Sequence, residues 1–263
     1  MDKPDLTSAM TRLRRRAPLV HNITNYVVMN ITANALLAVG ASPAMVHAVE
    51  EAAEFAPLAQ ALVINIGTLS PRWVEAMELA AGAATRAGVP WILDPVAAGA
   101  TAYRTATAGR LMKLKPAVIR GNASEIMALA GEAGGAKGVD STRGSDSAID
   151  AAKRLALATS AVVAATGAVD YISDGTRLAG IANGDIMLTR VTGTGCSATA
   201  LIGAFLGAGL PPFEAAAAGL ATIGIAAELA IVGAKGPGSF AVALIDALAG
   251  LADATIATKM HWA

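Results

Sequence analysis

The sequence predicts an α/β fold in which helices cover both faces of a mostly parallel central sheet. Three observations predict it. Short apolar runs of the β type alternate with longer helical segments, which is typical of parallel sheets. The 263 residues are 54% hydrophobic but only 4% aromatic, so aliphatic side chains fill a large core. Polar residues directly follow several of the predicted strands, and the carboxyl ends of parallel strands form ligand crevices.

Each predicted strand is a short run rich in Val, Ile, Leu and Ala, which suits burial on both faces of a sheet. The last two runs are expected to form a hairpin-like pair. The predicted strands are 43–46, 61–66, 91–93, 117–120, 161–166, Asp170–Ser173 and 176–181, and a further apolar run at 187–191 is expected to be a strand that ends at a glycine loop.

The segments between the strands have helical composition. Ser70 and Pro71 suit the N-cap and first position of one helix, and Gly88 suits its end. The apolar stretch 198–232 is interrupted by Gly-Leu-Pro-Pro and carries two glutamates, so two buried helices joined by a turn fit it better than a membrane span. The helix that begins at Pro71 is predicted over Pro71–Ala87, and the other predicted helices are 30–39, 49–59, 124–130 and 146–158.

Charge and cysteine content exclude several classes of function. Twenty basic and twenty acidic residues cancel, which leaves no electrostatic footprint for nucleic acid or a membrane surface. One cysteine excludes an intramolecular disulfide, and three scattered histidines lack metal-ligand spacing. The first residues are charged and lack an apolar leader, so we expect a soluble cytoplasmic protein. The sequence has no Pro/Ser-rich linker, which predicts one domain over residues 1–263, with a loop at 131–145.

Polar residues cluster where four of the predicted strands end. Asp94 follows one strand, and the segment 121–125 follows the next. Thr166 ends a third strand, and the glycine loop follows the run at 187–191. Because Mg²⁺ prefers carboxylates, waters and phosphate oxygens, Asp94, Asn122 and Glu125 are candidates for a magnesium–phosphate network. The alternatives are an Asp-Pro turn for Asp94 and a helix capping box for Asn122 and Glu125.

The segment Thr192-Gly-Thr-Gly-Cys-Ser197 precedes a long apolar run and is expected to begin a helix. Glycines let backbone N–H groups converge on an anion, and a helix N-terminus adds partial positive charge. The same field is expected to lower the pKa of the Cys196 thiol toward a usable thiolate. An anion cradle beside a base is what phosphoryl transfer to an alcohol requires. One alternative is a helix entry whose small residues allow close packing; another is a hydrolase or acyltransferase that pairs Cys196 with His21 or His47.

From Pro18 to about Phe240 the chain resembles the hydroxyethylthiazole kinase family of the ribokinase-like superfamily. The Gly-Thr-Gly loop alone indicates only the superfamily. Cys196 after it, where most relatives carry Asp, is a mark of the subfamily. The segments that carry the resemblance are 18–25 (PLVHNITN), 40–45 (GASPAM), 64–68 (INIGT), 93–96 (LDPV), 119–126 (IRGNASEI), 166–167 (TG), 193–196 (GTGC) and 236–238 (GPG).

This resemblance implies a three-layer ribokinase-like fold and ATP- and Mg²⁺-dependent phosphorylation of the primary alcohol of 4-methyl-5-(2-hydroxyethyl)thiazole, a step of thiamin salvage. It also implies a homotrimer whose active sites lie between neighbouring subunits. The alternatives are another ribokinase-like kinase, acting on a hydroxymethylpyrimidine or a sugar, and a non-catalytic nucleotide-binding protein.

Motif chemistry and resemblance together assign roles to single residues. Cys196 is predicted to be the catalytic base or a group that orients the hydroxyl. The anion hole is assigned to Gly193, Thr194 and Gly195. Asp94 and Glu125 are predicted to hold Mg²⁺, and Arg120, Thr166 and Asn122 to bind ATP. A buried ion pair is the alternative for Arg120, an ordinary turn for Thr166, and core packing for Met45. The predicted substrate-binding residues are Met45, Gly193, Asn22, Thr24, Asn25 and Gly67.

Overall fold

A computed structural model describes residues 1–131 and 145–263. The loop predicted at 131–145 therefore lies, apart from its two end residues, outside the described residues. Within the described ranges the chain forms one eight-stranded sheet in the order β2-β1-β3-β4-β5-β6-β7-β8. The strands β1 to β6 are parallel, whereas β7 and β8 complete the sheet in antiparallel orientation. The strands are β1 Leu19–Ile23, β2 Ser42–Ala44, β3 Ala61–Asn65, β4 Trp91–Asp94, β5 Val118–Asn122, β6 Val162–Thr166, β7 Asp170–Ser173 and β8 Leu178–Ile181.

Helices cover both faces of this sheet, which confirms the predicted α/β class. One helical layer (α1, α2 and α8 to α11) and one sheet face share a hydrophobic core; α3 to α7 share a second core with the other face. The helices described are α1 Ala9–Arg16, α2 Met29–Val39, α3 Val49–Phe55, α4 Pro71–Ala87, α5 Ala102–Met112, α6 Ala123–Leu129, α7 Ile149–Thr159, α8 Thr194–Gly207, α9 Pro212–Ile231, α10 Pro237–Gly250 and α11 Asp253–Lys259, with short 3₁₀ helices at Ala56–Leu58, Ser145–Ala148 and Ile186–Arg190.

The end signals predicted for α4 are confirmed. The side chain of Ser70 accepts a hydrogen bond from the backbone N–H of Trp73, and Gly88 ends the helix at a φ of 72°. The stretch 198–232 forms α8 and α9, joined by the predicted turn. By length and composition α9 is apolar enough to cross a membrane, but most of it is buried between α8, α10 and the sheet, as in the core helix of a globular protein.

The predicted and observed strands differ in two places. The run at 187–191 is not a strand: the carboxylate of Asp185 accepts from the backbone N–H of Met187 and starts the 3₁₀ helix Ile186–Arg190. The strand β1 was not predicted because His21 and Asn22 interrupt its apolar run, yet both are fully buried between β2 and β3. The sequence reading also missed α5, α10 and α11.

Candidate functional site

The two-residue period of the strands places the polar side chains of five strands on one face of the sheet. The core that contains α8 includes Val20, Val63, Ile92, Val118 and Ala164, one from each of these strands. Successive side chains alternate between faces, so the residue two positions further along each strand lies on the face of α8. These residues are Asn22, Asn65, Asp94, Arg120 and Thr166. Three of them (Asn65, Asp94 and Thr166) are the last residues of their strands, Asn22 is the last but one of β1, and Arg120 is the middle residue of β5.

The N-terminus of α8 points into this edge. Gly193 precedes the helix at a φ of 87°, and a Cβ there would lie 2.8 Å from the Cγ2 of Ile31, so only glycine fits. The backbone N–H of Ser197 is the first to bond within the helix, to the carbonyl of Gly193, 2.8 Å away. The N–H groups of Thr194, Gly195 and Cys196 therefore have no acceptor inside the helix and are free to bind an anion.

The hydroxyl of Thr194 has a structural position instead. Its Oγ1 lies 2.8 Å from the carbonyl oxygen of Leu188 and 3.2 Å from that of Val191, and the residue is buried. These contacts tie the segment before α8 to the first turn of the helix. The contribution of Thr194 to the predicted anion hole is thus its backbone N–H.

The guanidinium of Arg120 lies against the first turn of α8. A Cβ on Gly195 would come within 3.1 Å of its Nη1, so the absence of a side chain at Gly195 makes room for the cation. The Nε of Arg120 is buried and has no hydrogen-bond partner among the described residues. A buried donor without an acceptor is costly, and a phosphate oxygen would satisfy it. The helix N-terminus and Arg120 together form a positively polarised site.

The amide side chains of Asn25 and Asn65 form a hydrogen-bond network with the thiol of Cys196. The Nδ2 of Asn65 lies 3.2 Å from the Sγ of Cys196 and 2.7 Å from the Oδ2 of Asp94. The Nδ2 of Asn25 donates to the Oδ1 of Asn65 at 2.9 Å and lies 3.6 Å from the sulfur. A Cβ on Gly67 would lie 2.5 Å from the Nδ2 of Asn25, so glycine is needed there for the network to close.

The predicted depression of the Cys196 pKa is wrong. Burial and, second, the negative charge of Asp94 raise the pKa of the thiol to about 11, because Arg120 and the two asparagines offset these effects only in part. The field at the start of α8 is therefore outweighed by desolvation and by a neighbouring carboxylate. Cys196 is a neutral thiol near pH 7, which suits a group that orients a hydroxyl better than a resident thiolate base.

Asp94, the last residue of β4, and Glu125, in the first turn of α6 just after β5, are two buried carboxyl groups. Burial raises the pKa of both, that of Glu125 to about 7, to which the charge of Asp94 also contributes. The Oδ2 of Asp94 accepts from Asn65 and, at 2.8 Å, from the Oγ1 of Thr199. Glu125 accepts from the backbone N–H of Ala97 through Oε1 and from that of Asn122 through Oε2, each at 2.7 Å.

Asn122 and Glu125 form the capping box that the sequence left as an alternative. The Oδ1 of Asn122 accepts from the N–H of Glu125 at 3.0 Å, while Glu125 caps in return. On the neighbouring strand β6, Thr166 pairs in register with Asn122. Its Oγ1 lies 3.3 Å from the carbonyl oxygen of Gly121. Just beyond, Asp170 accepts from the N–H of Gly167, and burial raises its pKa to about 6.

The residues of the β1 and β2 region that are predicted to bind substrate lie in three places. Thr24 and Asn25 follow β1 and are buried beside the network, where the indole Nε1 of Trp73 donates to the carbonyl of Thr24 at 3.1 Å. Asn22 lies inside β1, and its amide donates to the carbonyl of Val20. Met45 follows β2 at the outer edge of the sheet, separated from β3 and β4 by β1.

Sequence reasoning missed Arg104, which braces the rim of the site. Its guanidinium donates to the carbonyls of Ile66 at 2.7 Å, Val96 at 2.9 Å and Gly67 at 2.8 Å. These bonds fix the segments after β3 and β4 relative to each other. The arginine lies in α5, a helix that the sequence reading did not predict, so no signal marked it.

The alternative of a cysteine nucleophile is not supported. In residues 1–131 and 145–263 the hydrogen-bond partners of the Cys196 sulfur are amides, not imidazoles. The Nε2 of His21 lies 2.7 Å from the carbonyl of Val46, and burial lowers its pKa. The ring of His47 stacks on Trp73. No group of three or more His, Cys, Asp or Glu side chains in the described ranges is placed to enclose a metal ion.

The chain is similar to known proteins in both sequence and fold. A sequence model of the "HK: Hydroxyethylthiazole kinase family" matches residues 10–254. A hydroxyethylthiazole kinase from Granulibacter bethesdensis is 57% identical over 253 residues, which are 96% of this chain and 92% of that protein. The structure of hydroxyethylthiazole kinase from Pyrococcus horikoshii OT3 has a TM-score of 0.91 and 47% identity, over 98% of this chain and 97% of that one.

A more distant structure shares the fold alone. A ribokinase-like superfamily protein from Enterococcus faecalis V583 matches with a TM-score of 0.65 at 11% identity, over 94% of this chain and 91% of that one. The three-layer ribokinase-like fold implied by the resemblance is thus confirmed. From the family match and the relatives above, the chain belongs to the hydroxyethylthiazole kinase family.

Proposed function

We propose that this kinase transfers the γ-phosphoryl group of ATP to the hydroxyl of 4-methyl-5-(2-hydroxyethyl)thiazole at the carboxyl edge of the sheet. The observation that carries the proposal is the start of α8. There, three backbone N–H groups without intrahelical acceptors belong to the same helical turn as the thiol of Cys196, and the guanidinium of Arg120 lies against this turn at Gly195. A donor cluster beside a group that can contact an alcohol is suited to phosphoryl transfer.

The N–H groups of Thr194, Gly195 and Cys196 face the charge that develops on the transferred phosphoryl group. Arg120 binds a phosphate oxygen through its buried Nε and its Nη atoms, which have room because Gly195 lacks a side chain. Such donors need no reorganisation during the reaction, because the helix and the sheet already hold them in place. Thr166 and Asn122, at the ends of neighbouring strands, contact the nucleotide on the side of β6.

Cys196 contacts the hydroxyl of the thiazole alcohol. Its thiol has a pKa of about 11, so it holds its proton before the reaction and orients the alcohol through a hydrogen bond. Phosphoryl transfer passes through a loose transition state, so the alcohol proton leaves late and a strong base is not required. Positioning of the oxygen in line with the phosphorus supplies most of the effect of this residue.

The donor set fits Mg²⁺ bound with its ATP phosphates and waters. Asp94 and Glu125 supply hard oxygen ligands. The pKa of Glu125 is raised by burial and, second, by the charge of Asp94, and a cation would offset both effects. Within the described part of the chain the hydrogen bonds to Asp94 fall on Oδ2, which leaves Oδ1 available. When bound, Mg²⁺ neutralises charge on the phosphates. Both acids also hold the edge of the sheet together through their hydrogen bonds.

The thiazole ring is assigned to the side of the crevice formed by β1 and β2. Met45 offers a soft thioether to a sulfur heterocycle, and Asn22, Thr24, Asn25, Gly67 and Gly193 line the approach to Cys196. Tyr26 and Val27 next to this group are 63% and 64% exposed. Adjacent exposed apolar side chains beside a site are suited to contact with another chain, which supports active sites between subunits. The oligomer proposed is a homotrimer, and the proposed location is the cytoplasm.

Release of ADP tests this proposal. Purified protein is incubated with Mg-ATP, with and without hydroxyethylthiazole, and the mass of the thiazole product is measured by mass spectrometry. We expect ADP formation to depend on the thiazole, and the product to be heavier by one phosphoryl group. Turnover with a hydroxymethylpyrimidine or a sugar, and none with the thiazole, would instead favour another alcohol kinase of the same fold.

A further inference from the structure

We propose that Asn65, through one amide group, fixes the positions of both Cys196 and Asp94 and is thus a positioning residue for phosphoryl transfer. The inference rests on the function proposed above. The sequence predicts only that Asn65, which follows a strand, lines the substrate pocket. In the structure it is the shared hydrogen-bond partner of the thiol assigned to the alcohol and the carboxylate assigned to the metal and phosphates.

Two backbone groups fix which way each amide points. The N–H of Gly67 donates to the Oδ1 of Asn65 at 2.9 Å, and the N–H of Val27 donates to the Oδ1 of Asn25 at 3.1 Å. A backbone N–H only donates, so both oxygens are identified and both Nδ2 groups face the opposite way. The Nδ2 of Asn65 is therefore the donor that lies between Cys196 and Asp94.

The hydrogen-bonding capacity of Asn65 is fully used. Its two N–H bonds go to the Sγ of Cys196 and the Oδ2 of Asp94, and its oxygen accepts from Asn25 and Gly67. The residue is 1% exposed, so no water can replace these partners without a change in the fold. A rotation of the amide would leave several buried groups unsatisfied at once, so Asn65 is held in one orientation.

This arrangement defines the role of the thiol. The sulfur of Cys196 accepts from Asn65, so the S–H hydrogen is not used by that bond and remains for a contact outside the network. The same nitrogen holds Asp94, so the distance between the thiol and the carboxylate is set by one rigid group. A shift of either partner away from Asn65 changes where the alcohol lies relative to the phosphates, and rates are sensitive to such displacements.

Three variants separate this role from a merely structural one. Asn65→Ala removes the bond to both partners. Thr199→Val removes the other hydrogen bond to Asp94, together with a long 3.4 Å contact to the carbonyl of Gly195, and leaves the bond between Asn65 and Cys196 in place. Asn34→Ala deletes an exposed asparagine of α2 as a control for the loss of an amide. The readouts are kcat and KM for the thiazole and the S–H stretching band in the Raman spectrum, which reports Cys196 alone because the chain has one cysteine.

For Asn65→Ala we expect kcat to fall about 10- to 100-fold with KM for the thiazole changed less than about threefold, because the alignment of Cys196 and Asp94 in the transition state is lost and substrate affinity is not. The S–H band shifts in this variant. It stays unchanged in Thr199→Val, whose kcat also falls, and Asn34→Ala matches the wild type in every readout. A wild-type kcat or an unshifted S–H band in Asn65→Ala would overturn the inference.

A second substitution of Asn65 tests the inference if Asn65→Ala does not fold. Asn65→Ser is smaller and cannot reach Cys196 and Asp94 together, so the same fall in kcat and band shift are expected, and a wild-type result overturns the inference equally. The Raman band needs no turnover. A wild-type protein without thiazole-dependent ADP release would therefore contradict the proposed function while the band still reports on the hydrogen bond between Asn65 and Cys196.

Discussion

The Sγ of Cys196 lies 3.2 Å from the Nδ2 of Asn65, at the first turn of α8. The sulfur thereby accepts a hydrogen bond from a buried amide, although burial and the charge of Asp94 raise the thiol pKa to about 11. A neutral thiol held as an acceptor is arranged to orient an alcohol. This differs from a cysteine nucleophile, whose pKa is lowered by an adjacent imidazole.

Replacement of Cys196 tests its role in catalysis. Because positioning dominates and the proton leaves late, we expect Cys196→Ala to lower kcat by about 10²–10⁴-fold without abolishing it. Cys196→Asp is expected to remain active, since the amides of Asn25 and Asn65 can donate to a carboxylate as they do to sulfur. Steady-state kinetics measure both, and wild-type turnover by Cys196→Ala would remove Cys196 from the mechanism.

The raised pKa of the thiol predicts how alkylation depends on pH. Only the thiolate reacts, so the rate of modification of Cys196 by iodoacetamide should rise about tenfold per pH unit from pH 7 to 9.5 without a plateau. The chain unfolded in urea serves as the control, because its thiol should titrate near the usual value of about 8.5. A plateau near pH 7 in the folded protein would instead indicate a resident thiolate.

Substitution of Gly195 tests the contact between α8 and Arg120. A Cβ at this position would lie 3.1 Å from the Nη1 of Arg120, so Gly195→Ala should displace the guanidinium and raise KM for ATP. Gly195→Val should abolish turnover while the far-ultraviolet circular dichroism and Tm stay close to those of the wild type. Loss of the folded state in Gly195→Val would mean that this glycine serves packing and not anion binding.

Arg120→Met should raise KM for ATP about 10- to 100-fold, the effect of losing a charge-assisted hydrogen bond. The matched control is Arg86→Met, because Arg86 lies exposed in the last turn of α4, which leads into the amino end of β4, whereas the site lies at the carboxyl ends of the strands. Equal KM values for the two variants would contradict an ATP contact by Arg120.

Glu125 should make stability depend on pH. Its pKa is about 7 in the folded protein and about 4.3 in an unfolded chain, so the folded state binds the proton more tightly. The resulting stabilisation is present at low pH and is lost as pH rises through about 7. In metal-free buffer the Tm of the wild type should therefore fall more steeply between pH 5 and 7.5 than that of Glu125→Gln, and equal slopes would contradict a raised pKa.

Local sequence patterns predicted much of the fold because the parallel strands are short apolar runs with distinct helix signals between them. Ser70, Pro71 and Gly88 were sufficient to place α4. Patterns failed where tertiary contacts override composition. His21 and Asn22 are buried in β1 because strands pair on both sides, and the run before the glycine loop turns because Asp185 caps it.

The site was predictable as a set of strand ends but not as a network. Asp94, Asn122 and Glu125 stood out because carboxylates and amides follow apolar runs. The pKa of Cys196 could not be predicted, since the field of a helix start is visible in sequence whereas the burial and the charge of Asp94 that outweigh it are not. Sequence reasoning gave Asn65 only a place in the lining of the substrate pocket and gave Arg104 no role, because the contacts of both residues depend on partners more than 25 residues away along the chain or in another element.

The most direct measurement compares hydroxyethylthiazole with its analogue in which an ethyl group replaces the hydroxyethyl group. Purified protein is given Mg-ATP and either compound, and initial rates of ADP formation are recorded. If the alcohol oxygen receives the phosphoryl group, ADP forms with hydroxyethylthiazole, while the ethyl analogue gives only the background rate and inhibits competitively. Equal ADP formation with both compounds would show that water accepts the phosphoryl group and would contradict an alcohol kinase.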